Sequence, residues 1–123
     1  MLGNIKTETI QILGPATATD TAEATSTWKL VTNYEGAMII TQNVGTVTAG
    51  TITGAIYTAT DDSGAGSAAV TGATFTAVTT GTDEAATSIV VQCNACKQYV
   101  SYIGTVATGP AEVGVTLTGC PKY

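Results

Sequence analysis

Apolar and polar side chains alternate in short runs from Thr27 onward, the period-two signature of strands that bury one face. Residues 112–118 set Val113, Val115 and Leu117 on one face and Gly114, Thr116 and Thr118 on the other. Residues 51–60 set Ile52, Ile56 and Thr58 against Ala55, Tyr57 and Ala59. Residues 99–107 set Tyr99, Ser101, Ile103 and Thr105 against Val100, Tyr102, Gly104 and Val106. Residues 28–32, 37–42, 73–79 and 87–92 read as further strands. A turn at 33–36, a Gly-rich loop at 61–67 and a turn at 81–84 separate them. No stretch carries a helical stripe. About seven or eight short antiparallel strands at this spacing predict an all-β, jelly-roll-like β-sandwich over residues 27–123. Residues 1–26 differ. Residues 6–13 alternate well enough for one strand, but 14–26 hold Pro15 and no large apolar side chain, so 1–26 reads as an N-terminal strand or arm with a linker.

Composition sharpens this picture. The 123 residues fit one domain. Thr (26), Ala (18) and Gly (14) dominate, while one Phe, one Trp and five Tyr leave mostly aliphatic side chains to fill the core. Small side chains bury little area each, at about 25 cal/mol per Å², so contacts with a partner or with further copies would add what the core lacks. The net charge is −5, with Lys6, Lys29, Lys97 and Lys122 as the only cations. That balance argues against nucleic acid or an anionic membrane as partners, because phosphate neutralisation needs clustered bases. No run approaches the roughly 18 apolar residues of a membrane span. Residues 1–12 lack the features of a secretory signal, so synthesis in the cytoplasm is expected.

Chemistry-bearing side chains are scarce. Without His there is no Ser-His or Cys-His pair, and the chain is not expected to be an enzyme. Asp83 and Glu84 lie in a turn-like segment and read as solvated charges. Cys93-Asn94-Ala95-Cys96 has the spacing of half a zinc site, yet a tetrahedral site needs four ligands. Its simpler reading is a two-residue hairpin turn flanked by cysteines close enough for a disulfide under oxidation. Together with Cys120 the thiols are expected to be free. The 61–66 segment lacks the ligand spacing of an EF-hand and reads as a hairpin loop. Thr-x-Thr triplets at 17–19, 46–48, 51–53, 58–60 and 80–82 have no fixed repeat, so they read as the wet faces of ordinary strands and not as an ice-binding array. No cofactor and no metal is expected.

The second half, roughly residues 50–123, resembles the capsid cement, or decoration, proteins of tailed bacteriophages. The resemblance rests on the order of five pieces: Asp61-Asp62-Ser63-Gly64-Ala65-Gly66, Val70-Thr71-Gly72-Ala73-Thr74-Phe75, Lys97-Gln98-Tyr99-Val100, Ile103-Gly104-Thr105-Val106 and Gly119-Cys120-Pro121-Lys122. Gln98 departs from the Arg usual at its position. What the resemblance implies is a jelly-roll-like domain on the outer surface of an icosahedral shell. There it would bridge neighbouring copies of the major capsid protein and resist the pressure of packaged DNA. The implied location is the virion, with self-association as a dimer or trimer. The irregular, exposure-prone segments supply the candidate partner contacts: Ile10 and Ile12 of the arm, Tyr34 and Glu35 of the first turn, Asp61 and Asp62 of the Gly-rich loop. Alternative readings are another virion part, such as a head fibre base, tail-tube or adhesin module, or a small carbohydrate-binding sandwich using Tyr57, Tyr99 or Tyr102 as stacking platforms.

Overall fold

The computed structural model describes residues 7–18 and 23–122. The strands are β1 (Glu8–Ala18), β2 (Glu23–Thr25), β3 (Lys29–Leu30), β4 (Tyr34–Val47), β5 (Gly50–Ala59), β6 (Ala68–Thr74), β7 (Val78–Thr79), β8 (Ala85–Gln92), β9 (Tyr99–Thr108) and β10 (Ala111–Pro121). A single 3₁₀ turn, Cys93–Ala95, lies between β8 and β9. One sheet has the order β1-β10-β4-β8 and the other β2-β9-β5-β6, with β3 beside β9 and β7 beside β5. Every pairing is antiparallel. The chain switches sheets at six of the nine connections between these strands, giving the double-sheet, jelly-roll-like sandwich expected from the strand pattern.

The alternation decides which side chains fill the space between the sheets. Met38, Ile40, Val91, Val113, Val115 and Leu117 enter from the first sheet, and Ile52, Ile56, Val100, Tyr102 and Val106 from the second, all at most 3 % exposed. Two aromatic rings anchor this aliphatic core: Phe75 meets Tyr102 edge-on, with centroids 6.2 Å apart. The Tyr102 ring lies over Gly54 and Gly104, which are opposite one another on β5 and β9. A Cβ at Gly54 would lie 2.5 Å from that ring, so the glycine pair makes room for the Tyr102 ring.

Several local expectations change. The strand read at 6–13 is longer than expected and continues through 14–18, expected to be arm or linker: β1 pairs with β10 from Glu8↔Gly119 to Ala18↔Ala111. Backbone pairing needs no large side chains, and Ile12, with half-buried Ile10 and Leu13, supplies the inward face. Residues 19–22 of the expected linker lie outside the described residues. The first turn is shorter than 33–36. Tyr34 already belongs to β4, and Gly36 (φ 73°) sits where the β4–β10 register shifts, a bulge that only a left-handed residue accommodates easily. The expected strand 73–79 is divided between β6 and β7, which pair with different parts of β5. The Cys93–Cys96 segment is no hairpin turn: β8 belongs to one sheet and β9 to the other, and the 3₁₀ turn carries the chain between them.

Candidate functional site

Among the described residues, the outward positions of the first sheet form a continuous surface with no ionisable side chain between Glu35 at one end and Glu112 at the other. Register fixes its rows across the four strands. Thr9, Thr118, Ile39 and Val90 form one, Gln11, Thr116, Thr41 and Ser88 the next, and Gly114, Asn43 and Ala86 a third. Neighbouring hydroxyls pair across strands, Thr9 with Thr118 at 2.9 Å and Thr41 with Ser88 at 2.8 Å. This satisfies part of their hydrogen-bonding capacity within the sheet. Ile39 and Val90 stand side by side and are 46 % and 62 % exposed. A neutral surface of short side chains with an apolar spot has the composition of an interface core, where charges are depleted. None of these positions was singled out in the sequence. The signal was present only as a lack of charge at alternate positions of strands that are distant in the chain.

The three cysteines gather near one end of the sandwich, all half-buried and free. Cys93 and Cys96, with Tyr34, Glu35, Lys97 and Lys122, line an open groove of about 590 Å³. Burial pushes the Cys93 thiol up, and the nearby Cys120 and Glu35 add to that against the opposing pull of Lys122. Burial, with the neighbouring Cys93, pushes Cys96 up to about 11. Its thiol donates to the Gln92 carbonyl at 3.7 Å. Both are therefore protonated at neutral pH, the inert form of a cysteine. Among the described residues no group of three or more cysteines and carboxylates is placed to hold a metal ion.

The six candidate contacts do not form one site. Ile12 (4 % exposed) and Tyr34 (3 %) belong to the core, and Ile10 is half-buried against it. The Tyr34 hydroxyl donates to Glu8 Oε1 at 2.6 Å, and burial, aided by that carboxylate, raises its pKa to about 12. Glu35 is exposed on β4, opposite Cys120. Asp61 is occupied within its own loop, where Oδ1 accepts from the Ser63 amide (2.9 Å), the Ser63 hydroxyl (2.8 Å) and the Ala65 amide (3.0 Å). The Ala65 amide, followed by the Ser63 groups, holds its pKa below the usual carboxylate value. Asp62 is exposed beside it.

Other expectations about surface groups also shift. Asp83 is more than a solvated charge, because Oδ2 accepts from the Val47 amide at 2.9 Å and closes the end of β4. Thr58 faces inward, 5 % exposed, and bridges the Tyr99 carbonyl and the Lys97 amide. Tyr102 is fully buried and is no stacking platform, while Tyr57 and Tyr99 are half-buried on the second sheet.

No protein-family model and no curated protein matches the chain. Its fold is similar to that of a solved chain described under "Bacillus endospore appendages form a novel family of disulfide-linked pili". The similarity has a TM-score of 0.51 at 20 % identity and covers 98 % of this chain and 93 % of that one. Over nearly the whole length this is a likeness of fold. Among the described residues, no helix is long and apolar enough to cross a membrane.

Proposed function

We propose that the chain is a non-catalytic structural protein, a capsid cement or decoration protein. In this reading it binds the outer surface of a major capsid protein shell and stabilises the shell against internal DNA pressure. The observation that carries the reading is the charge-free outer face of the first sheet. It offers extended, short-range contact without the clustered bases that bind phosphate or the converging titratable groups that perform catalysis. The ordered pieces from Asp61 to Lys122 favour a capsid over other assemblies. Each contact is modest, and repetition over a symmetric particle makes the sum strong. The test is addition of the purified protein to undecorated shells. Co-sedimentation and a higher shell melting temperature support the reading, and the absence of both counts against it.

A second reading, a subunit of an external fibre, is favoured by the near full-length likeness to a chain from pili. Electron microscopy of labelled particles separates the two, with label on a head supporting cement and label along a filament supporting the fibre.

A further inference from the structure

Each sheet of a sandwich has two edges, and natural proteins protect such edges with charge, proline, bulges or brevity. Three of the four here are protected. β1 opens on Glu8, carries Pro15, which has no N–H to offer, and shifts register against β10 twice, between Gln11 and Leu13 and between Leu13 and Ala16. β2 is three residues long and opens on Glu23. β6 shifts register against β5 and holds Gly72 at φ 78°. β8 has none of these devices. It reads Ala-Ala-Thr-Ser-Ile-Val-Val-Gln, without charge, proline or glycine, and pairs with β4 without a shift from Ala37↔Gln92 to Val44↔Ala85.

Along such a strand, alternate residues turn their N–H and C=O away from the paired neighbour. Among the described residues the one further hydrogen bond to the β8 backbone is that from the Cys96 thiol to the Gln92 carbonyl, at its very end. The exposed Val90, beside Ile39, lies on this open edge.

We propose that β8 pairs antiparallel with β8 of a second copy about a two-fold axis, joining two four-stranded sheets into one of eight strands. Two observations select this occupant. A chain of net charge −5 repels itself at most surfaces, but β8 against β8 sets only neutral side chains opposite one another. Pairing of β8 with any other edge of a second copy would have to use β1, β2 or β6, each of them protected, or β3 or β7, each only two residues long. The contact is therefore isologous and closes as a dimer, whereas a heterologous contact would propagate into a fibre. The two same-face registers of greatest overlap set Val90 opposite Ala86 or Ser88 of the second copy, which covers part of its exposed side chain. An edge of this length buries less than the roughly 1,600 Å² of a standard interface, so the dimer forms in a concentration-dependent way.

The test is sedimentation velocity of the full chain across a concentration series, with hydrogen exchange of the β8 amides measured at each end of the series. Expected are a monomer–dimer equilibrium, β8 amides that slow as the dimer fills, and at least a tenfold weaker dimer for Val90→Lys with an unchanged melting temperature. Gln11→Lys, on the opposite strand of the same face, leaves the dimer intact. A monomer at every concentration overturns the proposal, whether its β8 amides exchange freely or are already covered by the chain itself. So does open-ended growth, or a dimer indifferent to Val90→Lys. Val90 lies on the neutral face as well as on this edge, but the test uses the chain alone, so its outcome is independent of shell binding.

Discussion

The phenol of Tyr102 on β9 donates to Oε1 of Gln42 on β4 at 2.5 Å, tying the two sheets together in the middle of an aliphatic core. Both side chains are completely buried, and Gln42 Nε2 has no partner among the described residues. A buried polar pair of this kind stabilises little in itself but is expensive to break from one side. Tyr102→Phe and Gln42→Leu are each expected to cost about 1–3 kcal/mol, because each strands the other polar group. The double variant is expected to lose far less than the sum, since it leaves neither polar group without its partner. Urea unfolding of the four proteins, read as a double-mutant cycle, measures this coupling.

Ser26 fastens the segment entering β3 to β9. Its hydroxyl accepts from the Tyr102 amide at 2.8 Å and lies 3.0 Å from the Ser101 hydroxyl, while its own amide donates to the Tyr102 carbonyl at 2.9 Å. Ser26→Ala leaves the Tyr102 amide buried without its acceptor. The expected loss is about 1–3 kcal/mol, with faster exchange of that amide in the folded protein.

Tyr34 gives a pH signature. Its pKa is about 12 in the folded protein against an ordinary value of 10.0. The neutral phenol is thus favoured by folding, so its contribution is complete below pH 10 and is lost as pH rises through 12. Stability is expected to fall across that window, and Tyr34→Phe is expected to make the fall shallower without abolishing it, because burial also raises the pKa of Tyr102. Absorbance titration of the phenolate with Glu8→Gln should show the midpoint moving down yet staying above 10, since burial is the larger cause.

The thiols report folding. With Cys93 and Cys96 shifted upward, alkylation near pH 8 is expected to be several-fold slower in the folded protein than in urea. Mass analysis without prior reduction should find three modified cysteines after unfolding. Two missing modifications would show a disulfide instead.

Much of the architecture was legible in the pattern of side chains, and the reasons are local. Val113, Val115 and Leu117 face inward because a half-buried strand permits nothing else. Tyr34 was misplaced because Asn-Tyr-Glu-Gly reads as a turn, whereas its ring packs against Gly119 of β10 and its hydroxyl meets Glu8, neither of them near in sequence. The small residues of 14–18 looked like a linker because their pairing with β10 is made by backbone, which leaves no mark in side-chain pattern. The neutral face was invisible for a similar reason. Thr9, Thr118, Ile39 and Val90 become neighbours only once the order β1-β10-β4-β8 is known.

The most direct measurement is binding of the chain to undecorated shells, made alongside a variant carrying Gln11→Lys and Asn43→Lys. Both substituted positions are exposed on the neutral face. The wild-type protein is expected to saturate the shells and raise their melting temperature, while the variant, equally well folded, binds at least tenfold more weakly. Wild-type protein that leaves the shells bare, or a variant that decorates them just as well, would contradict the account.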